Sequence, residues 1–119
     1  MELVFNERLF NQISEKSNNE ILGDIGRELM SNELNIKWKN YDHILKKTKA
    51  YYERLFETMK ASICMDKRVI KYLRKKENYS KVDIATILFD VISVYFDSPI
   101  PVMQFTVLVM RERLDKICL

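Results

Sequence analysis

"YSKVDIATILFDVISVYFDSPIPVMQFTVLVM", residues Tyr79 to Met110, is the most apolar stretch of this 119-residue chain. Its start has the rhythm of a helix-turn-helix, its end alternates like a strand, and its length suits two buried helices. The polar residues decide the first half. Asp83, Thr86, Asp90, Ser93 and Asp97 recur at intervals of three and four, so on a helix they form one stripe of roughly 80°. Nearly every other position from Val82 to Phe96 is apolar, and a helix apolar over most of its circumference is surrounded by other helices. Ser80 followed by Asp83 has the form of a capping box that starts it.

Ser98-Pro99 then reads as a cap followed by proline in the first helical turn, the favoured restart signal. Beyond it Met103, Val107, Met110, Leu114 and Ile117 repeat at four, three, four, three. Alternation of Gln104 and Thr106 with Phe105 and Val107 also fits a strand. The heptad spacing continues through the charged tail "RERLDKI", where alternation fails. Helix is the reading adopted.

Working outward, the spacing predicts a first helix over about 2–15, on Leu3, Phe5, Leu9, Phe10 and Ile13. "KSNNE" breaks it, and Ser17 or Asn18 can cap the next, which carries Ile21, Leu22, Ile25 and Leu29. Gly23 and Gly26 weaken that helix by roughly 1 kcal/mol each against Ala, or permit close approach of a neighbour. Trp38 is expected to anchor a connection, and Asn40 to cap a long third helix. There Tyr41, Ile44, Leu45, Thr48, Tyr51, Tyr52, Leu55, Phe56 and Met59 line one face, with His43, Lys47 and Arg54 opposite. A shorter fourth helix over about 66–76 turns Val69, Ile70 and Leu73 inward.

Composition agrees. The chain is 47% hydrophobic and 31% charged with only two Gly and two Pro, which suits one folded domain of long helices rather than tightly turned sheets. Asp83, Asp90 and Asp97 interrupt the longest apolar run, so no membrane span is expected. Glu2 stands where a signal peptide carries positive charge. Cys64 and Cys118 read as isolated thiols in a reducing compartment, and cytoplasmic residence follows as the default.

Catalytic chemistry finds little to work with. One histidine, on the solvent face of a helix, supports no dyad or triad. No glycine-rich phosphate loop is present, and two distant cysteines with one histidine do not make a zinc site. Neighbouring aspartates of the stripe lie about 10.5 Å apart along a helix, too far for one ion. The expectation is no enzyme, no metal and no cofactor. Charge is more informative: residues 41–80 hold eleven Lys or Arg against five Asp or Glu, within a chain of net +3. Lys46, Lys47, Lys67, Arg68, Lys71, Arg74, Lys75 and Lys76 are the candidate binding residues, with Lys49 beside the first two. Interleaved Glu53 and Glu57 favour a solvated bundle face instead. The segment "VIKYLRKKENYSKVDIATILF" has a helix-turn-helix rhythm, but the recognition helix should follow it, and "DVISVYFDSP" is apolar and acidic.

"ATILFDVISVYFDSPIPVMQFTVLVMRERL", residues 85–114, resembles the core of Bcl-type bundles, nearest to the small poxvirus-encoded members. The shared features are an apolar helix ending in an aromatic pair, a short turn and a second apolar helix. The glycine-containing turn that many cellular members carry is missing. "ELMSNELNIKWKNYDHILKKTKAYYERLFETM" with "YSKVDIATILFD" is similar to a caspase-recruitment domain. Either resemblance implies a helical adaptor or decoy in cell-death or innate-immune signalling.

The expected architecture is all-α, a single compact bundle of five to six helices with a central apolar helix at about 80–97. The expected function is a non-enzymatic protein–protein interaction module, in line with the resemblances a virus-encoded modulator of host apoptosis or innate immunity. A helical nucleic-acid-binding regulator using residues 46–76 and a phage inhibitor of a bacterial defence complex are the alternatives. A protein partner is expected, and a homodimer is compatible with the same surface. Six methionines suit an adaptable binding face, although core filling accounts for them equally well.

Overall fold

The computed structural model describes residues 3–31, 41–74 and 79–118. Expectations placed on Trp38, Asn40, Lys75, Lys76 and the side chains of Leu29 and Tyr41 fall outside the described residues and side chains. The described chain is all-α: α1 (Glu7–Ser14), α2 (Asn18–Ser31), α3 (Tyr41–Met65), α4 (Lys67–Leu73), α5 (Lys81–Ser93), α6 (Pro99–Glu112) and α7 (Leu114–Ile117). The count exceeds the expected five to six because the tail forms a separate helical turn.

Local chemistry fixes the starts. At α5 the Ser80 hydroxyl accepts from the Asp83 amide at 3.1 Å while the Asp83 carboxylate accepts from the Ser80 amide at 3.0 Å, the reciprocal cap its spacing implied. Ser17 and Glu20 make the same pair at α2. Asn6 caps α1, so the first helix starts later than expected and residues 3–6 run without helix. Phe5 nevertheless packs inward, its ring 5.8 Å from Phe89 and 5.7 Å from Phe10.

At the centre lie α5 and α6, packed against each other. In α5 six side chains are buried, among them Leu88, Phe89 and Ile92. In α6 every residue from Val102 to Val109 is buried. The helix enclosed on all sides is therefore α6, with α5, shorter than the expected 80–97 span, as its half-wet partner. Strand is excluded for 102–110. Gln104 and Thr106, the polar members of the strand-like alternation, are both buried. The Thr106 hydroxyl donates to the Val102 carbonyl at 2.7 Å, so its polarity is satisfied inside its own helix. Around this pair, α1, α2 and α7 pack against α6, and α3 packs against α2, α4, α5 and α7.

Two long-range devices close the bundle. Arg111, in the last turn of α6, donates to the Ser14 and Lys16 carbonyls and to Asn18 Oδ1 at 2.7–2.9 Å, pinning the α1–α2 turn with one guanidinium. The second device corrects an expectation. Cys64 and Cys118 are joined in a disulfide, with Cα atoms 5.3 Å apart and a separation of 54 positions in sequence. The sequence reading of two isolated thiols fails because α7 folds back onto α3. That return begins at Arg113, whose φ of 67° and ψ of 111° end α6 and redirect the chain.

Gly26 is a close-approach glycine. A Cβ there would run into the Thr48 hydroxyl and come within 2.6 Å of Ile44 Cγ2, so α2 seats its backbone directly on α3. Thr48 has little freedom to yield, because its hydroxyl donates to the Ile44 carbonyl at 2.8 Å in a buried setting. Gly26→Ala is expected to lose about 1–2 kcal/mol in urea unfolding, the overpacking cost exceeding the roughly 1 kcal/mol gained in helix propensity. Adding Thr48→Ala opens space and should restore part of the loss.

Candidate functional site

Three surface features carry functional chemistry. The basic residues come first. Lys46, Lys47 and Lys49 lie in the first third of α3, all exposed. Lys47 and Met65, the end of that helix, are separated by about 27 Å along its axis. The chain then turns at Asp66 into α4, so the structure divides the candidate set into two patches. On α4 and its C-cap, Lys67, Lys71 and Arg74 are exposed at i, i+4 and i+7 and share one face.

Arg68 faces elsewhere. Its guanidinium donates to both carboxylate oxygens of Asp66, at 3.2 and 3.0 Å, and lies 3.0 Å from Asp90 Oδ2 on α5. Asp66 also caps α4, accepting from the Arg68 and Val69 amides. The Arg68 hydrogen bond, aided by these amides, holds the Asp66 carboxyl below the usual carboxylate range. Arg68 is thus a link between α4 and α5 rather than an open phosphate ligand.

Most of the polar stripe on α5 is likewise engaged. Asp83 closes the capping box, Asp90 meets Arg68, and the Thr86 and Ser93 hydroxyls donate to the Val82 and Asp90 carbonyls at 2.7 Å. Asp97 lies beyond the helix end. The stripe is a wet edge, as its spacing implied, and it is spent on local structure.

The second feature is a shallow cleft of about 370 Å³ lined by Glu57, Lys60, Ala61, Cys64, Ile117 and Cys118. Its chemistry is one carboxylate, one amine and a disulfide. The spacing of Glu57, Lys60 and Cys64 along α3 would have placed them on one face, but nothing in the sequence brought the tail to them.

The third is apolar. The Ser62 and Tyr95 hydroxyls lie 2.8 Å apart, tying the last turn of α3 to the turn after α5. Met65, three residues beyond Ser62, is 76% exposed, and Val94, next to Tyr95, is 79% exposed. Sequence reasoning assigned Val94 to the buried rod. A signal was present: Val94 follows Asp90 by four residues, which puts it on the wet edge.

No protein-family model, curated protein or solved structure matches this chain.

One position on α3 departs from its expected setting. His43 is half-buried rather than on the solvent face. Tyr52 is buried, and its hydroxyl has no hydrogen-bond partner among the described residues. Burial, reinforced by the charges of Glu112 and Glu53, raises its phenol above the ordinary 10.0. Above about pH 10 the folded chain therefore binds more protons than the unfolded one, and stability falls as pH rises. Tyr52→Phe is expected to be neutral or to stabilise by up to about 1 kcal/mol at pH 7, since no bond is lost with the hydroxyl. Its stability between pH 9 and 11 should decline less than that of the parent in urea titrations.

Proposed function

We propose that the protein is a non-enzymatic helical module that binds another protein through the end of the bundle where α3 and α5 finish. The supporting observation is the pair Met65 and Val94, two large apolar side chains left more than three-quarters exposed beside the Ser62–Tyr95 bridge. Methionine is unbranched and polarizable, which suits a surface that adapts to a partner. The disulfide favours an oxidising compartment over the cytoplasmic default, which rested on free thiols. The order apolar helix, aromatic pair, turn, apolar helix, seated at the centre of the bundle, supports the Bcl-type resemblance and with it a partner from cell-death or innate-immune signalling.

Met65→Glu and Val94→Glu test the reading. Both positions are exposed, so melting should stay near the parent value. A partner captured by the parent chain and lost by both variants is the expected result. Capture that is indifferent to both substitutions would overturn it. A second reading, nucleic-acid binding, is favoured by the shared face of Lys67, Lys71 and Arg74. It requires binding that weakens steeply between about 50 and 200 mM salt and that Lys67→Glu with Lys71→Glu abolishes.

A further inference from the structure

We propose that Cys64–Cys118 is the catch of a redox latch, with α7 as the moving part and Arg113 as its hinge. Three independent observations meet at the end of the chain. The disulfide is accessible: both cysteines are half-buried and line the open cleft that also holds Glu57 and Lys60, so a small thiol can reach them. The element it holds is small. Helix α7 has four residues, only Leu114 and Ile117 of them buried, and no side chain caps its start. A helix this short does not persist in water without its packing. The hinge is strained. Arg113 has φ of 67°, the single non-glycine residue at positive φ among the described residues, in a region that costs a residue with a Cβ appreciable free energy.

Closed, the latch holds Leu114 and Ile117 against the bundle and keeps Arg113 in its unfavourable conformation by a covalent bond. Opened, it lets Arg113 relax and frees α7 from α3, uncovering the half-buried surface around Cys64. The opening reagent is a monothiol of the glutathione class. Its thiolate attacks one cysteine sulfur, the S–S bond breaks, and the other cysteine leaves as a thiolate that takes a proton from water. A second thiolate attacks the resulting mixed disulfide at the sulfur of the first, releasing the remaining cysteine and the oxidised external disulfide. Two external thiols are oxidised, and the protein disulfide receives the two electrons. The latch does not depend on the partner-binding reading, since its moving part lies in α7 and not at Met65 or Val94.

The test compares the full chain before and after treatment with reduced glutathione, using hydrogen exchange read by mass spectrometry. Reduction alone, acting on the unfolded chain, accelerates exchange in both regions by one factor. The latch adds a local opening, so exchange at residues 114–118 should accelerate at least about tenfold more than at 102–109. Arg113→Gly, which accepts the positive φ without strain, should shrink that excess in the reduced chain. Equal acceleration in both regions, a disulfide that glutathione leaves intact, or an excess unchanged in Arg113→Gly each overturns the proposal.

Discussion

Replacing Cys64 and Cys118 together with Ser should lower the stability of the chain by about 4 kcal/mol, the loop-closure entropy that a cross-link spanning some 54 residues removes from the unfolded state. At this chain length the melting temperature should fall by roughly 12–20 °C. Ser and half-cystine are close in size and both sites are half-buried, so the double variant shares one native form with the reduced parent, α7 released in both. Reduced parent chain and the double variant should therefore unfold at the same urea concentration, well below the oxidised parent. The dependence on urea should steepen in both, since an unfolded chain free of its cross-link exposes more surface. A loss smaller than about 1 kcal/mol would mean that the bond contributes little to the folded form, contrary to the closure argument.

The disulfide also marks the boundary of what the residues reveal by themselves. Caps and stripes are local. Ser80 with Asp83 and the wet edge of α5 follow from spacings of three and four, and each has its counterpart in the structure. At the Ser98-Pro99 restart Pro99 opens α6 as implied, while the Ser98 side chain makes no capping hydrogen bond. Gly26 belongs with them, because a small residue on a helix face announces that a backbone can come close. The pairing of Cys64 with Cys118 is not local. It depends on where α7 lands, and α7 lands on α3 because Arg113 takes a left-handed backbone conformation with no glycine there to announce it. The continuing heptad of Met110, Leu114 and Ile117 implied one unbroken helix. Leu114 and Ile117 are buried and Met110 half-buried, but the pattern is divided between two helices that break at Arg113.

The candidate site was less legible for the same reason. Composition identified a basic middle third, but it could not say that a carboxylate on each side engages Arg68, or that α3 holds Lys46 and Lys47 far from Lys67. Burial of a polar residue is also decided by the fold. Gln104 and Thr106, whose alternation with Phe105 and Val107 also fitted a strand, are both enclosed on a helix. Thr106 can sit at the centre because its hydroxyl bonds back to its own helix.

The enclosure of α6 has a measurable consequence at Phe105. Its side chain is fully buried on α6, and its ring meets three others: Phe96 at 5.1 Å, Tyr52 at 5.5 Å and Tyr51 at 6.2 Å between centroids. Two of these partners are fixed on the longest helix, and the third lies in the turn tied by Tyr95 to Ser62. Neighbours held in this way cannot move into the space that truncation leaves, so Phe105→Ala should cost about 4–5 kcal/mol, the upper part of the range for buried aromatics. Phe105→Leu, which keeps most of the volume, should cost about 1–2 kcal/mol. Phe89 on α5 is the control. It is as large and nearly as buried, but the ring against it belongs to Phe5, on the extended segment before α1. That segment can follow the shrinking side chain, so Phe89→Ala should cost about 1 kcal/mol less than Phe105→Ala in the same urea titration. If α5 were the enclosed helix and α6 its partner, the order of the two losses would be reversed.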